Sequence, residues 1–231
     1  MISELTSVSE SGKQRPWQLK RGKKVLIAAT VLWAFAVSAG LWFMWSYENS
    51  PGTAATPPAR WPADSRIPRV SDSATLIMMA HPHCPCTRAS VGELALLMAR
   101  TQGRVTAYVL LLKPTGMPED WEKTDLWNSA ASIPGVQVLQ DEDGIEAGRF
   151  HAATSGQTLV YDKEGRLLFS GGITSARGHS GDNAGRSAIV SLLLNGEAER
   201  TETLVFGCPI FDPSSECRTG KEGANHATAS N

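Results

Sequence analysis

Cys84 and Cys86 stand one residue apart in Ala80-His81-Pro82-His83-Cys84-Pro85-Cys86-Thr87-Arg88, and they are two of the 4 cysteines in the chain. A strand-like run, Thr75 to Ala80, leads into them and a helix-like run, Arg88 to Arg100, follows. A thiol at the start of a helix meets the positive end of the helix dipole, which favours thiolate over thiol. Thiolate is the species that attacks disulfides and binds soft metals. The position points to redox or metal chemistry, with Cys84 as attacking thiolate and Cys86 as resolving thiol. A Cys-x-Cys disulfide also closes a small ring that departs from the preferred geometry, and strain makes a disulfide easier to reduce. The alternative is a structural disulfide or two inert thiols, which the strand-to-helix junction opposes.

His81 and His83 crowd the same turn. With Cys84 and Cys86 they offer two imidazoles and two thiolates, a set suited to Cu(I) or Zn(II). The reading preferred over a metal site is that His83 acts as a basic neighbour favouring the Cys84 thiolate. No resident metal and no cofactor is therefore expected. Cys208 and Cys217 form a second pair. They could close a small loop on each other, or Cys208 could reach Cys84 and relay electrons; four cysteines allow three pairings. The loop Gly171 to Asn183 matches neither a P-loop nor a dinucleotide fingerprint. Asp182 or Asn183 caps the helix that follows, and Arg177 and His179 could line the cleft near Cys84. No nucleophile-elbow pattern supports hydrolase chemistry.

The elements that must position these residues alternate. Val105 to Leu112 reads as a buried strand, Pro118 to Ser132 as a short helix entered through Pro118, and Val136 to Leu139 as a third strand. Glu146 to His151 is a helical turn. Thr158 to Asp162 and Arg166 to Ser170 flank Lys163-Glu164-Gly165 as a hairpin, and Ala184 to Asn195 is an amphipathic helix stopped at Gly196. The order β-α-β-α-β-β-β-α implies a mixed sheet covered by helices. Upstream, Val25 to Trp45 is apolar and uncharged, long enough to cross a hydrocarbon core of about 30 Å. Lys13, Arg15, Lys20, Arg21, Lys23 and Lys24 precede it, so the N-terminus is expected inside and the rest outside. The stretch exceeds a signal-peptide core in length, although Gly52-Thr53-Ala54-Ala55 offers a cleavage-site reading. Pro51, Pro57, Pro58, Pro62 and Pro68 make the next segment read as a semi-extended tether. A net charge of −1 over 231 residues argues against a nucleic-acid partner.

His83-Cys84-Pro85-Cys86-Thr87-Arg88-Ala89-Ser90-Val91-Gly92-Glu93-Leu94 resembles the Trp-Cys-x-x-Cys-Arg-Ala-x-x-x-Glu-Leu motif of membrane-tethered thioredoxin-like proteins of the TlpA/ResA type. Cys84 falls on the first family cysteine and Thr87 on the second, so the second thiol has moved back to Cys86. A second match runs from Gln140-Asp141-Glu142-Asp143-Gly144 through Phe150 to Tyr161-Asp162-Lys163-Glu164-Gly165-Arg166, and puts the family's cis-proline position on Gly156. The chain also resembles the RedB-type group through His83 to Ser90 and Arg177 to Asn183. The resemblance implies an α/β thioredoxin-like fold, a mixed central sheet flanked by helices, with an N-terminal transmembrane helix. It implies substrate contact by His83, Ser155, Gly156 and Gln157, and extracytoplasmic protein thiols or disulfides as partners. The expected location is the bacterial inner membrane, single-pass, with the domain facing the periplasm. The expected partition is a basic leader over 1–24, the span over 25–45, a proline-rich linker over 46–69, the thioredoxin-like domain over 70–212 and a flexible tail over 213–231. Copper-delivering proteins of the Sco type share the tethered architecture and supply the alternative function, although their ligand spacing is not matched here.

Overall fold

The computed structural model describes residues 16–211, with backbone alone over 16–21. Cys217 lies outside the described residues. The chain divides into a helical unit ending at Ser46 and a compact unit beginning at Tyr47. Helix α1 (Pro16–Glu48) contains a candidate span, Gly22–Glu48, of 27 residues, whose most apolar 18-residue window has mean hydropathy 2.0 and is unburied. By length and composition it can cross a membrane, as an anchor or as a signal sequence.

In the second unit, β1 (Ala74–Ala80), α2 (Thr87–Arg100), β2 (Val105–Lys113), α3 (Asp125–Ala131), β3 (Val136–Glu142), α4 (Ile145–Arg149), β4 (Gln157–Tyr161), β5 (Leu167–Gly171) and α5 (Ala184–Asn195) follow in order. The strands form one five-stranded sheet in the order β3-β2-β1-β4-β5. β1 pairs parallel with β2 and antiparallel with β4, so it sits at the centre. That position explains its unbroken apolar sequence, because a strand covered on both faces has no polar face to alternate with. Leu76, Met78 and Ala80 pack with Val91, Leu94 and Leu97 of α2, Leu126 of α3 and Ile189 of α5. Ile77 and Met79 point the other way, into a cluster with Tyr108, Leu110, Phe150, Tyr161, Ile67 and Ile210. The fold is thioredoxin-like α/β, a mixed sheet flanked by helices and preceded by a candidate transmembrane helix.

Two features differ from the local reading. Helix α3 covers only Asp125–Ala131, where Pro118 to Ser132 was expected. Pro118 to Lys123 instead makes successive turns, Trp121 N–H to Pro118 O at 3.1 Å and Lys123 N–H to Asp120 O at 3.0 Å, and Thr124 is extended. Trp121 is thereby delivered to His81 and His83. The proline-rich segment does not hang free either. Gly52 N–H bonds Val205 O at 2.8 Å, Leu167 N–H bonds Ala59 O at 2.9 Å, and Trp61 N–H bonds Gly165 O at 2.8 Å. Trp61 meets Phe150 and Tyr161 edge-on at 5.1 and 5.3 Å, and the Tyr161 hydroxyl donates to Pro58 O at 2.9 Å. Proline forbids a helix here, but it leaves carbonyls free to accept and lets an extended segment lay its tryptophan into an aromatic groove.

Candidate active site

The site begins where β1 ends. Cys84 N–H bonds His81 O at 3.0 Å, Thr87 N–H bonds Cys84 O at 3.2 Å and Ala89 N–H bonds Cys86 O at 3.2 Å, so the Cys-Pro-Cys segment winds directly into α2. Cys86 is the N-cap, with helical φ −66° and ψ −32°, and its side chain makes no capping bond. Cys84 therefore lies one turn ahead of the helix. Both side chains are buried, Cys84 at 4% and Cys86 at 7% exposure.

The loop before β4 closes the site from behind. Ser155 Oγ accepts from His81 N–H at 2.8 Å and meets Thr87 Oγ1 at 2.6 Å, and Gly156 N–H bonds Met79 O at 2.7 Å. Gly156 has φ +90°, and a Cβ there would lie 2.9 Å from Ser90 Oγ, so only glycine fits without strain. Thr87, on the family's second cysteine position, serves as a polar tie to this loop. Among the residues to which the resemblance gives substrate contact, His83 is exposed, whereas Ser155, Gly156 and Gln157 are buried. Gln157 Oε1 accepts from Ala153 N–H at 3.3 Å and so holds the loop.

A third thiol joins the site from the far end of the chain. After α5 the backbone returns along β5, with Ser170 N–H to Thr201 O at 3.0 Å and Thr203 N–H to Ser170 O at 3.2 Å. It then crosses to the Ser155 loop, where Ser155 N–H bonds Cys208 O at 2.8 Å and Ile210 N–H bonds Ala153 O at 2.9 Å. Gly207 permits this approach, since a Cβ there would sit 1.9 Å from Ser155 O. Arg177 fixes the same turn, donating from Nη1 to Gly207 O at 2.6 Å and from Nε to Ser50 O at 3.0 Å. Cys208 is thereby placed beside the loop that ties the motif through His81 and Thr87, while its partner in the other reading, Cys217, lies outside the described residues. The available signal was Gly207-Cys208-Pro209 set between Phe206 and Ile210, both buried.

Neighbouring thiols cannot all ionise, because like charges at short range oppose one another. Cys84 takes the charge. Hydrogen bonds from the Cys208 thiol and then the Cys86 thiol hold it far below the usual thiol range against the opposing effect of burial, and the Thr87 hydroxyl and the Cys208 peptide N–H add to them. Cys208 is pushed far up by its bonds to Cys84 and Cys86. For Cys86 the bond with Cys208 lowers the pKa, but the bond with Cys84, burial and the Cys84 charge outweigh it, with Arg177 opposing, and the net direction is upward. His81 is lowered by burial, and its Nδ1 accepts from His83 N–H at 3.2 Å, which describes a neutral ring. His83 lies against Trp121 with ring centroids 4.7 Å apart and the ring planes tilted by 56°. The Cys84 thiolate is thus held by thiols, a hydroxyl and a peptide N–H rather than by the neighbouring basic ring expected from sequence. Among the described residues no three His, Cys, Asp or Glu side chains are arranged to hold a metal ion.

Behind the site, Glu93 and Arg186 form a buried ion pair, at 1% and 3% exposure. Glu93 also accepts from Gly181 N–H at 2.7 Å and Asn183 Nδ2 at 3.1 Å. Asn183 caps α5, accepting from Arg186 N–H at 2.8 Å. The Gly171 to Asn183 loop is therefore cap and turn, and it also carries Arg177 to the Cys208 turn. His179 is exposed and bonds the Arg177 carbonyl at 3.0 Å.

No family model and no curated protein sequence matches the chain. Among solved structures, a hypothetical protein from Sinorhizobium meliloti is similar at 21% identity and TM-score 0.56, covering 70% of this chain and 97% of its own. An uncharacterized conserved protein from Geobacillus kaustophilus is similar at 23% identity and TM-score 0.51, covering 72% and 95%. A slighter overlap, TM-score 0.37 at 13% identity over 52% of this chain and 89% of its own, is with StoA from Bacillus subtilis. The first two likenesses, both under 25% identical, are likenesses of fold.

Proposed function

We propose that the protein is a membrane-anchored, extracytoplasmic thiol–disulfide oxidoreductase of the RedB-type group. The observation that carries this reading is the placement of Cys84 and Cys86 in the turn that joins β1 to α2, with Cys86 at the helix N-cap and Cys84 just ahead of it. Cys84 Sγ attacks one sulfur of a protein disulfide, forming a mixed disulfide and releasing the other sulfur as thiolate. Cys86 then gives up its proton and attacks Cys84 Sγ, which releases the substrate's second thiol. The substrate gains two electrons and the Cys84–Cys86 pair loses them. His83, exposed and lying against Trp121, is the contact offered to an incoming chain. The domain of 70–212, with its 46–69 strap, faces the periplasm, and α1 spans the bacterial inner membrane. Partners are extracytoplasmic protein thiols or disulfides. The copper-handling alternative would use the His81-Pro82-His83-Cys84-Pro85-Cys86 cluster, in which the His81 ring is buried and its Nδ1 accepts the His83 N–H.

Full-length protein in detergent, supplied with a dithiol reductant, is expected to catalyse reduction of a protein disulfide, with or without a copper chelator. Cys84→Ser should reduce turnover to the uncatalysed rate. Turnover that survives Cys84→Ser would reject the assignment. For topology, a reporter enzyme that works only outside the cytoplasm should be active when fused after Asn231; a silent reporter on a stable fusion would reverse the orientation.

A further inference from the structure

Cys208 is unused by the two-thiol cycle, yet the fold takes trouble to bring it in. Its turn is tied at Cys208 O by Ser155 N–H, at Gly207 O by Arg177, and by the Thr154–Pro209 bridge. It is half-buried, whereas Cys84 and Cys86 are buried. We propose that Cys208 is a third redox-active thiol, which takes the disulfide over from Cys86. The proposal rests on the exchange reading above. Cys208 sulfur attacks Cys84 Sγ in the Cys84–Cys86 disulfide; a Cys84–Cys208 bond forms, the Cys84–Cys86 bond breaks, and the Cys208 proton ends on Cys86. One disulfide replaces another, so no oxidant or reductant is consumed.

Two physical effects drive the step forward. The Cys-x-Cys ring is small and strained, whereas a bond between residues far apart in sequence escapes that constraint. The Cys208 turn is also already docked beside the motif, since Ser155 holds the Cys208 carbonyl through its N–H and both His81 and Thr87 through its hydroxyl, so no element must travel far to bring the sulfurs together. The oxidised protein then has its C-terminal segment covalently joined to the motif, Cys86 free, and one disulfide sulfur on the more open Cys208, where an external dithiol can attack it.

Trypsin makes the linkage readable. Cys84 and Cys86 share the peptide Val70 to Arg88, and Cys208 lies with Cys217 in Thr201 to Arg218. In full-length Cys217→Ser protein oxidised with glutathione disulfide and then alkylated, these two peptides should be joined through Cys84 and Cys208, with Cys86 alkylated. Adding Cys86→Ser should leave the same linkage. Adding Cys208→Ser should stop the protein at Cys84–Cys86 and make that disulfide about tenfold faster to reduce with dithiothreitol. Oxidised protein with Cys84 joined to Cys86 and Cys208 fully alkylated would overturn the relay while leaving the exchange reading intact. A Cys84 that stays alkylatable in every variant would instead remove the exchange reading, and the relay with it.

Discussion

Alkylation of Cys84 by a small haloacetamide is expected to be nearly independent of pH between 5 and 8. An ordinary thiol, with pKa about 8.5, loses thiolate roughly several hundredfold across that interval. The difference follows from the hydrogen bonds to the Cys84 sulfur, led by Cys208 and Cys86, which stabilise its charge and not its neutral form. Cys86 and Cys208 are both raised, so they should remain slow over the same range. The sign of the mutational effect is fixed by the same bonds. Cys208→Ala removes the largest of them and should move the Cys84 midpoint upward, whereas Cys208→Ser keeps a donor and should move it less. A wild-type rate that climbs tenfold per pH unit through this window would show that Cys84 is an ordinary thiol.

Arg186→Met should be among the most destabilising single changes away from the sulfurs. It leaves the Glu93 carboxylate buried without its cation, a situation that costs about 3–5 kcal/mol. For a domain of this size that corresponds to a fall in Tm of about 10 °C. Replacing both partners, Glu93→Leu with Arg186→Met, should cost less than Arg186→Met alone, because no charge is then stranded. The pair ties α2 to the loop that carries Arg177, so Arg186→Met should also loosen the Cys208 turn and raise the Cys84 midpoint. A Tm within 2 °C or so of wild type would show that Glu93 is served by Gly181 and Asn183 alone.

The parts of this molecule that local sequence made legible are those whose signals are themselves local. β1 and β2 are buried on both faces and read as unbroken apolar runs. Helix α5 begins at a side-chain cap, Asn183, and ends at left-handed Gly196, so both boundaries could be placed. The cysteine pair announced itself by spacing, and the strand before it and helix after it fixed where it sits. What stayed hidden depends on contacts between distant segments. Trp121 read as part of a helix because nothing nearby records that His81 and His83 lie across from it. The prolines around Trp61 read as a tether because the groove of Phe150 and Tyr161 is built about a hundred residues later. Ser155 and Gln157 sit at the matched loop positions, but their polar atoms are committed inward. Nothing near Cys208 in sequence records that its turn lies against Ser155.

A reversible thiol–disulfide centre at Cys84 should follow the redox potential of its surroundings. Equilibrating the full-length protein in detergent across a series of glutathione redox buffers, then counting free thiols at each potential, tests it most directly. The stabilised Cys84 thiolate favours the reduced state, so the expected result is a single two-electron transition with a midpoint above about −270 mV, the value of an ordinary thioredoxin. Either no transition at Cys84, or a midpoint below about −300 mV as in structural disulfides, would contradict it.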